Sequence, residues 1–148
     1  MDTLKHISRL LLLVVLLISV PAHARTGAEV HKDVLKAAKG AVAVYRAHGM
    51  SGLIGTTQRC YDQSNNQGFS CVYLDFASRR IDQLVRAAAA RDGMRLPKIA
   101  FFDNASLGAR LAPVFIEANM DRETSQAYVR VLTPIINHVV DEKRLHKP

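Results

Sequence analysis

Apolar positions recur along most of this chain in alternating steps of three and four, the spacing that lines one face of an α-helix. From Ala28 to His48 they fall on Val30, Val34, Ala37, Ala41, Val44 and His48. Gly49 interrupts the run, with Ser51 as a candidate N-cap. A second segment to about Tyr61 places Leu53, Ile54, Thr57 and Tyr61 on one side. The third segment, from about Phe69 to Ala90, has a stripe of Leu74, Ala77, Ile81, Leu84, Val85 and Ala88. Val72 and Phe76 add apolar surface elsewhere, which predicts a central position for this helix. Gly93 follows where a left-handed residue suits a helix end.

Around Pro97 lies LPKIAFFD, in which Ile99 to Phe102 fits either a short strand or an extended apolar strap, and the lack of a strand to pair with favours the strap. A fourth helix is expected from Asn104 or Ser106, with Leu107, Leu111, Phe115 and Ala118 inward and Asn104 as a starting cap. Asp121 then reads as the N-cap of a last helix that buries Tyr128, Val131, Leu132, Ile135 and Val139. Lys143, Arg144 and His146 suit its C-terminus, where positive charge opposes the helix dipole. Pro113 and Pro134 predict kinks in these last two helices, because proline removes a donor and crowds the preceding turn. The expected fold is all-α, a compact bundle of about five helices.

Two segments lie outside this pattern. The first is MDTLKHISRLLLLVVLLISVPAHARTG: a basic start at Lys5 and Arg9, an apolar run, then Ala22-His23-Ala24. That order reads as a secretory signal peptide over residues 1–24. The apolar run from Leu10 to Ile18 is shorter than the roughly 20 residues a spanning helix needs. Residues 25–148 then form a single helical domain, exported to the periplasm or the extracellular space, without stable membrane insertion.

The second is CYDQSNNQGFSC, residues 60 to 71. Asp62, Ser64 and Asn66 alternate like the first ligands of a calcium loop, but such a loop needs glycine at its sixth position and glutamate at its twelfth. Gln67 and Tyr73 stand there instead. The cysteines are too far apart in sequence for a C-x-x-C redox pair, and two cysteines with no histidine between them do not make a zinc site. An exported chain with two cysteines pairs them, so Cys60 and Cys71 are read as a disulfide stapling a helix-loop-helix. Closing so short a loop stabilises a fold by roughly 3 kcal/mol in the chain-entropy account.

Charge and candidate chemistry change this picture little. The chain has a formal charge of +7, and removing Lys5, Arg9 and Asp2 leaves +6. Arg79, Arg80, Arg86 and Arg91 gather on the third helix, but Asp75 precedes Arg79 by four and Asp82 precedes Arg86 by four. Acid before base at that spacing stabilises a helix. With no tryptophan and no aromatic interleaving, nucleic acid is not the expected partner. His31, His48, His138 and His146 form no metal motif, and no cofactor loop is present; neither a metal nor a cofactor is expected. His48-Gly49-Met50-Ser51-Gly52 lacks the strand-turn-helix setting of a nucleophile elbow. Glu117, in FIEANM, is the one weak candidate for a catalytic acid, of the kind that cleaves wall glycans. Asn104-Ala105-Ser106 matches a glycosylation sequon.

With no catalytic constellation, the expected function is binding. The chain reads as an inhibitor- or immunity-type module for another exported or envelope protein. Asp62, Asn65 and Asn66 of the stapled loop, with Arg79, Arg80 and Arg86, are the candidate contacts. The two competing expectations are an envelope-polymer enzyme using Glu117 and an electrostatic binder of anionic polymers or lipid headgroups.

Overall fold

The computed structural model describes residues 27–64 and 68–145, which form four α-helices and one 3-10 turn. Helix α1 spans Gly27–Ser64, α2 Phe69–Arg91, α3 Asn104–Glu117 and α4 Arg122–Leu145; the 3-10 turn is Ala100–Phe102. The leader, Asn65, Asn66 and His146 lie outside the described residues. The all-α class is as expected, but the first two expected helices are one element. Gly49 does not open a loop. It bends α1 with φ 64° and ψ −159°, a conformation inside the helix that is not helical. That backbone region is essentially restricted to glycine.

The bend explains both glycines of His48-Gly49-Met50-Ser51-Gly52. At Gly52 a Cβ atom would come within 2.3 Å of the His48 Cβ, so the close approach of the two arms requires its absence. Ser51 is not an N-cap: its hydroxyl donates back to the His48 carbonyl at 3.3 Å. The C-terminal arm of α1 lies along α2. The Cys60–Cys71 disulfide joins the two helices, with 5.6 Å between Cα atoms, and the buried hydroxyls of Thr57 and Ser78 meet at 3.2 Å. Arg46, on the N-terminal arm, donates to the Lys143 carbonyl of α4 at 3.2 Å.

Helix α2 is the hub. Cys71, Val72, Tyr73, Asp75, Phe76, Ala77 and Ser78 are all buried, so it is covered on nearly every side rather than along one stripe. Leu74, Leu84, Val85 and Ala88, members of the expected stripe, are only half-buried. The expected strap is instead the short 3-10 turn, with Phe102 buried and Phe101 half-buried. Helices α3 and α4 run through Pro113 and Pro134 as single elements, with both prolines exposed. Along α4 the inward face is turned from the expected one: Val131 is 66% exposed, while Ile136 and Val140 are fully buried. Ala118, expected inward, is an exposed helix cap.

Two helices end in matching backbone locks. After α2, Gly93 (φ 75°) donates to Ala90 and Met94 donates to Ala89. After α3, Asn119 (φ 53°) donates to Ile116 and Met120 to Phe115. Both are Schellman ends, the second with a left-handed asparagine in place of glycine. The N-termini of α3 and α4 are capped by carboxylates. Asp103 accepts from the Ser106 amide and Asp121 from the Thr124 amide, each at 2.7 Å. Asp103, not Asn104, is therefore the cap of α3.

Gly49→Ala should cost about 1–3 kcal/mol because it forces a side chain into a glycine-only conformation. Gly40→Ala, at an exposed helical site with open space around the added Cβ, should stabilise by about 0.5–1 kcal/mol. Urea titration of both variants checks the contrast, and equal effects would mean that α1 is not bent at Gly49.

Backbone amides hold the Asp103 and Asp121 carboxyls below their ordinary value of 3.8. A carboxyl lowered by folding contributes stability that is complete above the unfolded value and is lost as pH falls through the folded one. Amide protection factors in the first turns of α3 and α4, taken against the intrinsic exchange rate at each pH, should therefore fall below about pH 4. Asp103→Asn, which still caps but does not titrate there, should remove that acid sensitivity from α3.

Candidate functional site

Three features of this fold could bear on function: a buried ionic cluster, a set of surface arginines and a groove. The cluster forms around Asp75, which α2 places inside the core with a side chain 0% exposed. A carboxylate out of water is costly unless every acceptor site is answered. Arg110 of α3 donates to it twice, from Nε at 2.7 Å and from Nη2 at 3.0 Å. The Tyr61 hydroxyl donates at 3.2 Å. Arg110 in turn donates to the Phe101 carbonyl at 2.7 Å and lies 3.7 Å over the Phe101 ring.

Burial pushes the Asp75 carboxyl above the usual range, while the Arg110 guanidinium pulls against that shift. Burial, followed by the Asp75 charge, also raises the Tyr61 hydroxyl far above its ordinary value. Nothing in the cluster is left with a free valence. Among the described residues no buried side-chain nitrogen or oxygen lacks a partner, and no group of three or more potential ligands is arranged to hold a metal. The cluster is a structural tie between α1, α2, α3 and the 3-10 turn.

The surface arginines are also engaged, mostly by other helices. Asp75 is taken by Arg110, so the expected pairing with Arg79 four residues on does not form; the Arg79 guanidinium donates to Asn104 instead. Arg80 makes a two-pronged pair with Asp141 of α4 at 2.9 and 2.6 Å. Hydrogen bonding to Asp141 raises its pKa further. Arg86 pairs with Asp82 as expected, at 2.8 Å. Asp62 accepts from Gln58 at 3.0 Å. Glu117 is exposed in the last turn of α3, and His138 faces Glu142 at 3.3 Å.

The groove runs between α3 and α4. A four-residue turn after Glu117 leads into α4, and Phe115 meets Tyr128 edge to face at 6.1 Å. Tyr128 also packs on Phe69 and shares a 2.6 Å hydroxyl contact with Tyr73 of α2. Beside Phe115 is an open space of about 660 Å³. Leu111, Phe115 and Ile116 of α3 and Met120 and Val129 beyond it form its apolar wall, while Arg122 and Arg130 lie on the α4 side. Ile116 is 73% exposed, the most exposed of the large apolar residues described. On the other side of Gly108 and Leu111 a smaller recess of about 380 Å³ is lined in part by Arg79, Arg80 and Asn137.

No protein-family model, curated protein or solved structure matches this chain. No helix among the described residues is long and apolar enough to cross a membrane.

Sequence reasoning missed both the cluster and the groove. A trace of the first was present in YLDFA, an aspartate set among apolar residues. A trace of the second was the run Val114-Phe115-Ile116, three consecutive apolar residues that a helix with one apolar stripe does not bury together.

Arg110→Met and Asp75→Asn should each lose roughly 3–5 kcal/mol, since each strands a buried polar partner. The double variant should lose clearly less than the sum in a denaturation cycle. Strictly additive losses would show that the two side chains do not depend on one another.

Proposed function

We propose that this chain is an exported, non-catalytic binding protein that seats a helical segment of another exported or envelope protein in the groove between α3 and α4. The observation that carries this reading is Ile116, left 73% exposed on the wall of an open apolar groove. A large apolar side chain contiguous with other apolar surface gains free energy when a partner covers it. Such a groove is the surface that helix-in-groove recognition uses. Its openness also suits a macromolecule, which brings its own cover. A small ligand needs most of its surface enclosed. Inhibitor- or immunity-type action fits this description. A disulfide and an export signal both suit an oxidising compartment.

The competing readings have less support. A carboxylic acid that protonates a glycosidic oxygen needs an apolar, enclosed setting to keep its proton, whereas Glu117 faces water. Electrostatic binding would draw on Arg79, Arg80 and Arg86, and these already bond to Asn104, Asp141 and Asp82.

The test is capture from the envelope fraction with the oxidised chain, the Ile116→Asp variant and the Gly108→Trp variant. A Cβ on Gly108 meets no atom within 4 Å, so the indole can project into the groove without disturbing the core. Wild type should retain one stoichiometric protein at high salt, and both variants should lose it while melting at the wild-type temperature. Equal retention by all three would remove the groove from the interface.

A further inference from the structure

The groove has a two-sided composition that specifies its occupant more closely. Its α3 wall is Gly108, Leu111, Ala112, Phe115 and Ile116, and its α4 wall is Arg122, Ser125, Gln126, Val129 and Arg130. Both walls repeat in steps of three and one. That is the row a helix presents to a third helix lying against two others. Each row covers two turns, ~12 Å of helix. The rows are unlike in chemistry. The α3 row is wholly apolar, with Gly108 and Ala112 small enough to admit a close backbone. The α4 row is polar and basic with one apolar residue, Val129.

No carboxylate lines the groove among the described residues. Arg122 and Arg130 stand at opposite ends of the α4 row, and neither has an ion-pair partner among the described residues. Elsewhere on the bundle, Arg80, Arg86 and Arg110 are each matched by an aspartate. In the groove, cationic side chains border apolar surface with no carboxylate in the lining.

We propose that the occupant is an acidic amphipathic helix of the partner protein, at least two turns long. It lays apolar side chains at i, i+3, i+4 and i+7 against Leu111, Phe115 and Ile116 and turns carboxylates toward Arg122 and Arg130. This rests on the groove being the binding site and adds the chemical class of its partner. The apolar row supplies affinity and the two arginines supply orientation, since charges at the rim of an interface act chiefly on association rate and choice of partner. A helix of the opposite charge meets the same apolar wall but sets its cations against Arg122 and Arg130.

The probe is a synthetic, dye-labelled helical peptide with leucines at those four spacings and glutamates along one flank. It is compared with a peptide in which every glutamate is lysine. Fluorescence anisotropy with the full oxidised chain should give tighter binding of the glutamate peptide, weakened by salt. Amide NMR shifts should cluster on residues 108–116 and 122–130. Gly108→Trp should abolish binding. Arg122→Glu with Arg130→Glu, both at exposed positions, should weaken the glutamate peptide about tenfold and strengthen the lysine peptide. Equal affinity for the two peptides would overturn the acidic assignment and leave the groove as a docking site. If neither peptide binds, or if Gly108→Trp changes nothing, the groove itself fails.

Discussion

A carboxylate taken wholly out of water sets the terms for the rest of this fold. Asp75 sits in the second turn of α2 with no exposed surface, and an unanswered charge there would outweigh several apolar contacts. Its answer comes from three directions: Tyr61 on α1, Arg110 on α3, and, through Arg110, the 3-10 turn. The 3-10 turn buries only Phe102, too little apolar surface to hold it alone. One desolvated charge fixes the positions of these elements together, because its donors come from separate parts of the chain and must all arrive for it to be answered.

The position of α3 is the consequence on which the proposed docking rests. One face of the helix is drawn to α2 by Arg110, and its end is locked by Asn119 and Met120, which turn the chain directly into α4. With both constraints in force, α3 buries Leu107, Leu111, Val114 and Phe115. The row next to it, through Ala112 and Ile116, is left facing outward. An apolar row next to the buried one is what the groove consists of. It is a product of how the helix is anchored, not of a cavity within the core.

The sequence was legible wherever one residue type has one physical use. The two cysteines, Gly93 at a left-handed helix end and Asp121 as a cap could each be read from local rules, and the structure has all three. Helical periodicity located the elements, and erred where the partners of a face matter. Val131 and Ile136 on α4 are equally good stripe members by spacing, and only the position of α2 and α1 against α4 decides that Ile136 is buried. Gly49 signalled a break, but a positive-φ bend and a loop look the same in sequence. Asp75 was read as a surface partner of Arg79 because i,i+4 spacing was the nearest explanation. The true partner lies 35 residues away, and pairing at that range leaves no local signature. Arg80 and Asp141, 61 residues apart, are hidden for the same reason.

The same distinction separates the candidate contacts. Arginines gathered on one helix suggest a surface for anions, yet a guanidinium bonded to an aspartate of the same chain has already given up most of its attraction for another. Arg80 and Arg86 are in that condition. Arg122 and Arg130 are far in sequence from that cluster, and composition alone gives them no prominence. The proposed role of both rests on their lining the same groove as the apolar row of α3. Selectivity in such a groove comes from juxtaposition: apolar surface attracts any apolar partner, and the adjacent cations decide which of those partners stays.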